Sequence, residues 1–449
     1  MSRLVWICSA PVAVLVGAAT VFALLPGEQA TAGKRKAKTA IAPKTAKALQ
    51  NRRVHLGRSL NRAPGSRPAA APARETAGNL PYEPGELLVA NAPAGFAAAA
   101  RSLGLRTTAS SRLRGLGMTL KRLKQTRAGP SEPSIFTVKR RLQRRFPGML
   151  VDVNQRYDLA AAPPANRRAP SLRWKGKSWA RWALGWKKVP ERCGANLNIG
   201  VIDTSIDTTH PALLGTNIRF KSFHRRGRKP SAPRHGTAFA AMLIGNASIK
   251  GWGGLVPGAR LFAANVFDVT KSGRMVSSLE AFMKAMDWMI TEGVQVVNLS
   301  IAGSSSPMMK AAVTKALNNN VVLVAAADNF GTLARPAYPA AYANVLAVTA
   351  IDAKLRSYSR ANRGAYIDFA MPGVAAWTAV PGGGAYQSGT SFAVPFITAL
   401  AGLELASAAK FPSLAILTRR LLANSRDLGP RGRDNTFGWG FVEAGPNCG

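Results

Sequence analysis

Acidic side chains are scarce: 21 Asp and Glu stand against 61 Lys and Arg, a net charge of +40. Histidine occurs four times and cysteine three times. No Cys/His spacing suits a zinc finger or another metal site, and no aromatic, RNP-like strand appears, so a metal centre and a specific nucleic-acid module are not expected. Cys8 lies in a hydrophobic stretch without a lipobox-like context. Cys193 and Cys448 remain as a candidate disulfide closing a long loop; spacing alone leaves open that both are free thiols.

Residues 34–74 hold twelve Lys or Arg and no acid. A stretch of this kind reads as a solvated basic linker, and it offers an anionic surface such as phospholipid headgroups a place to bind. Before it, residues 4–25 carry no charge, Arg3 precedes them and "AGKRKAK" follows. That pattern is a secretory signal, with "ATA" at Ala30–Ala32 as a cleavage site, or an uncleaved anchor long enough to span a bilayer. The expected location is therefore exported, periplasmic or extracellular, or anchored at the membrane. Positive charge just after the segment works against translocating that end.

The remaining chain suggests further zones. Residues 1–32 form the targeting segment, 33–79 the linker, 80–162 a small α+β unit, 163–189 a second linker with a Trp-rich segment, and 190–449 the main domain. In the small unit "GELLVA", "SIFTV" and "MLVDVNQRYDL" read as strands and "VKRRLQRRF" as a basic helix. Trp174, Trp179, Trp182 and Trp186 are expected to pack between domains. From about Asn196, "NIGVID", "RLFAANVF", "VQVVNLSI", "VVLVAAA" and "NVLAVTAI" are apolar runs separated by helical stretches. Unalternated β-rich runs joined by helices imply a parallel sheet covered on both faces.

Four residues then fall where strands end or helices begin. Asp203 ends "NIGVID", His235 starts "RHGTAFAAMLIG", Asn329 follows "VVLVAAAD", and Ser391 opens "SFAVPFITALAGLELA". A serine hydroxyl is a poor nucleophile until an imidazole takes its proton, and a carboxylate must orient that imidazole. An amide can donate to the oxyanion that develops. A helix N-terminus adds free N–H groups and partial positive charge around Ser391. Each residue alone has a duller use. Ser391 suits an N-cap, His235 a helix start, and Asp203 and Asn329 turns.

"VIDTSID", "HGTAFAAM" and "SGTSFAVP" resemble the aspartate, histidine and serine motifs of the subtilisin-like serine proteases, in that family's chain order. "VVNLSIAG", "AAADNFG" and "TFGWGFVEA" extend the resemblance over about 190–446, and "YEPGELLV" through "VDVNQRYDL" is similar to the family's inhibitory propeptide. The resemblance implies an α/β, subtilisin-like three-layer fold with a parallel sheet flanked by helices, preceded by a small α+β propeptide-like domain. It implies Ser391 as nucleophile, His235 as general base and acid, Asp203 as orienting carboxylate and Asn329 as oxyanion donor. Ser300, Ile301, Ala302, Gly303, Ala326 and Ala327 would line the substrate cleft. His210 matches a structural position. The implied mechanism needs no cofactor, and the scarcity of acids argues against the calcium sites of some relatives.

Three positions depart from the family pattern. Ser205 and Asp328 stand where glycine is usual, and Ala238 replaces a frequent histidine. Ser205 would strain a turn that needs an unusual backbone angle. Asp328 tolerates a left-handed conformation. Its carboxylate either favours a basic side chain at the cleaved position or faces solvent. The expected function is a serine endopeptidase acting on proteins or peptides, made as a zymogen and cut within 159–172, with its own propeptide-like region as a partner. The rivals are an impaired homologue that binds peptides without cutting them, and a basic surface-binding protein.

Overall fold

The computed structural model describes residues 80–127, 132–160, 179–186, 192–249 and 251–444. The chain divides into Met1–Ala71 and Pro72–Gly449, and every described residue belongs to the second unit. The hydrophobic segment 4–25, the basic stretch 34–74, His55, Trp174 and Cys448 lie outside the described residues, as does nearly all of 159–172. Among the described residues no helix is long and apolar enough to cross a membrane.

The first part comprises β1 (Tyr82–Ala90), α1 (Phe96–Ser102), β2 (Leu105–Leu113), β3 (Met118–Gln125), α2 (Ile135–Arg145) and β4 (Leu150–Leu159). Its strands pair antiparallel in the order β2-β3-β1-β4. Leu87 and Val89 of β1, Leu123 of β3 and Val151 and Val153 of β4 pack on Val138 and Leu142 of α2. Here one expectation fails. "SIFTV" is no strand: the Ser134 hydroxyl accepts the Thr137 N–H as an N-cap, and Ile135, Val138 and Leu142 repeat on one helical face.

The second part comprises α3 (Trp179–Ala183), β5 (Asn198–Asp203), β6 (Ile218–Ser222), β7 (Lys229–Pro230), α4 (Arg234–Ile244), β8 (Arg260–Asn265), β9 (Phe267–Val269) and β10 (Met275–Ser278). It continues with α5 (Leu279–Thr291), β11 (Val296–Leu299), β12 (Ile301–Ala302), α6 (Pro307–Asn318), β13 (Val322–Ala326), β14 (Leu346–Ile351), β15 (Phe369–Pro372) and α7 (Val394–Ala406). Seven strands form a parallel sheet in the order β15-β14-β13-β11-β5-β8-β6. Alternate residues serve opposite faces. Val201, Val296 and Val324 meet Phe239 of α4 and Ile397 of α7. Ile202, Val297 and Leu323 meet Phe282 of α5 and Met309 of α6. Burial on both faces explains why these strands are apolar throughout.

The tryptophans correct a second expectation. Trp179 and Trp186 belong to the core of the second part with Leu184, and Trp179 Nε1 donates to the carbonyls of Val374 and Ala375. Trp182 is exposed. Trp179 and Trp186 thus pack within the core of the second part. Cys193 is disulfide-bonded.

Candidate active site

The carboxyl ends of β5 and β13, the start of α4 and the turn before α7 meet at one rim of the sheet. Asp203 is the last residue of β5, and both its oxygens lie 2.9 Å from His235 Nδ1. Asp203 Oδ1 also accepts the Thr204 N–H at 2.6 Å, and Thr204 Oγ1 accepts the Gly236 N–H at 2.8 Å. These bonds tie the end of β5 to the first turn of α4. His235 Nε2 lies 3.1 Å from Ser391 Oγ. The ring packs edge-on against Phe239 at 4.3 Å and Phe392 at 5.2 Å between centroids. All three polar residues are buried.

Ser391 does not open α7 as the sequence suggested. It sits in a 3-10 turn, Thr390–Phe392, and α7 starts at Val394 with Pro395 in its first turn. Gly389 before it has φ 155°. A Cβ at Gly389 would lie 3.4 Å from Ser391 Oγ and 3.6 Å from Asn329 Nδ2. Glycine therefore leaves a small space that both atoms border.

Asn329 Oδ1 accepts the Thr390 N–H at 2.9 Å, which fixes the amide. Its Nδ2 is buried and has no hydrogen-bond partner. Buried donors are almost always paired, so an unpaired one points to a role outside folding. Thr390 had no role from sequence, yet its Oγ1 also accepts the Asp328 N–H at 3.1 Å. The sequence carried only its place between Gly389 and Ser391.

Asp328 takes φ 80°, the left-handed conformation expected of an aspartate in a glycine's place. It does not face solvent: it is 2% exposed. Burial pushes its carboxyl up to about 6, against the hydrogen bond from the Asn329 N–H, and the nearby Asp158 charge adds to the rise. Ser205 is not among the described residues with positive φ, so the feared strain is missing. Its N–H donates to Ser231 Oγ. His210 caps a short 3-10 turn, accepting the Ala212 N–H, and its Nε2 lies 2.8 Å from the Gly383 carbonyl. Ala238 is buried in α4, and its carbonyl accepts the Thr378 hydroxyl.

The expected cleft residues divide. Ile301 and Ala302 form β12, which pairs antiparallel with β4 in the register Ile301↔Leu159 and Ala302↔Asp158. The Ser300 carbonyl accepts the Ala160 N–H at 3.0 Å. Gly303 lies under the Tyr157 ring, where a Cβ would come within 2.5 Å of it. On its other edge β4 pairs with β10 through Ser277↔Tyr157 and Ser278↔Arg156. The end of β4 is thus held between two strands of the second part. Ala326 lies in β13, while Ala327 spends its N–H on the Val348 carbonyl and its own carbonyl on the Tyr366 hydroxyl.

Charge pairs reinforce this contact. Glu83 is bonded by Arg156 of its own part and by Arg228 of the other. Burial works to raise its carboxyl, but the bonds and charges of Arg228 and Arg156 outweigh it and bring it down to about 2. Arg225 bonds Glu86, and Arg122 bonds Glu280. No group of three or more His, Cys, Asp or Glu suited to a metal occurs among the described residues. A cavity of about 610 Å³ lined by Met242, Trp252, Trp377 and Phe396 lies elsewhere, and none of the four rim residues lines it.

A family model for the Subtilase family matches residues 194–440, more than half the chain. The chain belongs to the subtilase family. Among its subtilase relatives, subtilisin E of Bacillus subtilis (strain 168) is 34% identical over 221 residues, covering 47% of this chain and 56% of that protein. Subtilisin DY of Bacillus licheniformis is 32% identical over 248 residues, covering 53% of this chain and 86% of that one. The chain spans about half the length of several curated relatives, 56% for subtilisin E. The crystal structure of fervidolysin from Fervidobacterium pennivorans, a keratinolytic enzyme related to subtilisin, superposes with a TM-score of 0.67. That likeness, at 21% identity over 81% of this chain and 60% of that chain, is one of fold. The subtilase α/β architecture accounts for the parallel sheet and its two helical layers.

Proposed function

We propose that this subtilase is an exported serine endopeptidase made as a self-inhibited zymogen. The observation that carries the reading is the unbroken chain Asp203–His235–Ser391, with the unpaired Asn329 amide across the Gly389 space. Asp203 holds the proton on His235 Nδ1, which leaves the Nε2 lone pair facing Ser391 Oγ. His235 takes the Ser391 proton as Oγ attacks a peptide carbonyl, then gives it to the leaving amine. Asn329 Nδ2 donates to the oxyanion, and no reorganisation is needed because Thr390 already fixes the amide. Water, deprotonated by His235, then releases the acyl group from Ser391. Ionised Asp203 stabilises the imidazolium in both steps.

Residues 80–160 act as the propeptide in this reading. Their last strand lies along β12 as a peptide substrate would, and the ion pairs Glu83–Arg228 and Glu86–Arg225 hold the segment there. The substrates are proteins or peptides. The impaired-homologue rival loses its motivation, because Ser205 is unstrained and Asp328 adopts the turn. A fluorophosphonate probe on wild type beside Ser391→Ala tests the reading. Wild type is labelled and shortens itself. The variant is unlabelled, stays full length and loses activity by about 10⁶-fold, the loss known for a subtilisin. An unlabelled wild type, or a variant that matures unaided, overturns it.

A further inference from the structure

Within that reading, we propose that Arg274 is a specificity-determining residue that selects a carboxylate side chain at the substrate position opposite Ala302. The chain's own segment shows the contact. Asp158 is the residue paired with Ala302, and its two oxygens lie 2.7 and 3.0 Å from Arg274 Nη2. A guanidinium nitrogen shared between both oxygens of a carboxylate favours that charge over a neutral amide and repels an ammonium.

Arg274 is built into its place. It closes the turn between β9 and β10: the Thr270 N–H donates to the Arg274 carbonyl at 2.8 Å, and the Arg274 N–H donates to Thr270 Oγ1 at 3.1 Å. Gly273, with φ 80°, completes that turn. The adjoining strand β10 pairs with β4 itself, so a peptide lying between β10 and β12 brings this position under the guanidinium. The register is pinned at both ends, by Tyr157 over Gly303 and by the Ala160 N–H on the Ser300 carbonyl. Slipping by one residue would turn the Asp158 side chain to the opposite face. The Asp328 carboxylate lies close enough to feel the Asp158 charge and works against it, so the preference is moderate. Arg274 and Asp158 remain partly open to solvent, which limits the gain further.

The test uses the protein expressed as the full chain and allowed to mature itself, and three peptides carrying Tyr-Asp-Leu-Ala, Tyr-Asn-Leu-Ala or Tyr-Lys-Leu-Ala at their centre. Initial rates are read by mass spectrometry, which also locates each cut. Wild type should cleave the Asp peptide roughly three- to fivefold faster than the Asn peptide, with Lys slowest. Arg274→Ala should bring the Asp-to-Asn ratio to about one, and Arg274→Glu should place Lys above Asp. A wild-type ratio of one or less, or the same ratio in Arg274→Ala, overturns the assignment while leaving the hydrolase reading intact. No cleavage of any peptide by a chain whose Ser391 is labelled by fluorophosphonate also overturns it. No cleavage together with no labelling brings down the hydrolase reading as well.

Discussion

Glu83 and Asp328 are both acids 2% exposed to solvent, and their environments treat them in opposite ways. Glu83, in the part spanning 80–160, meets Arg156 and Arg228, and its carboxyl falls to about 2. Asp328, at the rim of the parallel sheet, accepts the Asn329 N–H, and its carboxyl rises to about 6. Burial disfavours the charge in both. Two guanidiniums reverse that effect at one site, and a single amide does not at the other. Two side-chain amides contrast likewise: Asn154 of β4 donates to Glu86, whereas Asn329 Nδ2 at the rim has no partner. The contact between the two parts is built to hold. The rim keeps polar capacity unspent, which suits the oxyanion role proposed for Asn329.

The contrast can be broken experimentally. Asn329→Ala should lower kcat by roughly 10²–10³-fold, the size known for a subtilisin's oxyanion asparagine, while the melting temperature falls by only a few degrees for the lost Thr390 bond. A large fall in melting temperature instead would make Asn329 a folding residue. Glu83→Ala takes the carboxylate away from Arg156 and leaves Arg228 with Asp268, and should destabilise the uncut Ser391→Ala chain by about 3 kcal/mol in chemical denaturation. Because the folded carboxyl of Glu83 is depressed, its contribution is present above its ordinary pKa near 4.5 and is lost only as pH falls through about 2. The contact should therefore survive pH 4, as read by limited proteolysis.

The Asp328 effect is smallest and has the opposite sign. A raised folded pKa gives stability that is present below the ordinary value near 3.8 and lost as pH rises through about 6. Asp328→Asn should thus stabilise the chain at pH 8 by about 1–2 kcal/mol, change little at pH 4, and flatten the step between. Asparagine keeps the left-handed turn without strain. A variant no more stable than wild type at pH 8 would place the charge in a better-solvated setting than its burial indicates.

Much of the second part was legible because its signals are local. The strands of the parallel sheet are buried on both faces, so "NIGVID" and "VVLVAAA" stand out as apolar runs. The first part was harder to read. β2, "LRTTASSRL", shows solvent along most of its length, and its polar residues hide it; β3 and α1 escaped as well. "SIFTV" looked like a strand because β-branched residues cluster there, and only the Ser134 cap and the α2 packing face made it helix. At the site, motif residues were visible as types in order, whereas the role of Thr390 was not, since its bonds to Asp328 and Asn329 span some sixty positions.

The sequence by itself determined the inventory: which residue types end each strand, the parallel α/β class, the excess of positive charge and the lack of metal-ligand spacing. The tertiary structure decided what those groups do to one another. It set the Asp203–His235–Ser391 distances, left Asn329 Nδ2 unpaired, buried Asp328 and laid β4 between β10 and β12. The physical reason is range. Hydrophobic pattern and turn chemistry act over a few residues along the chain, but hydrogen-bond geometry and desolvation depend on neighbours that only folding brings close.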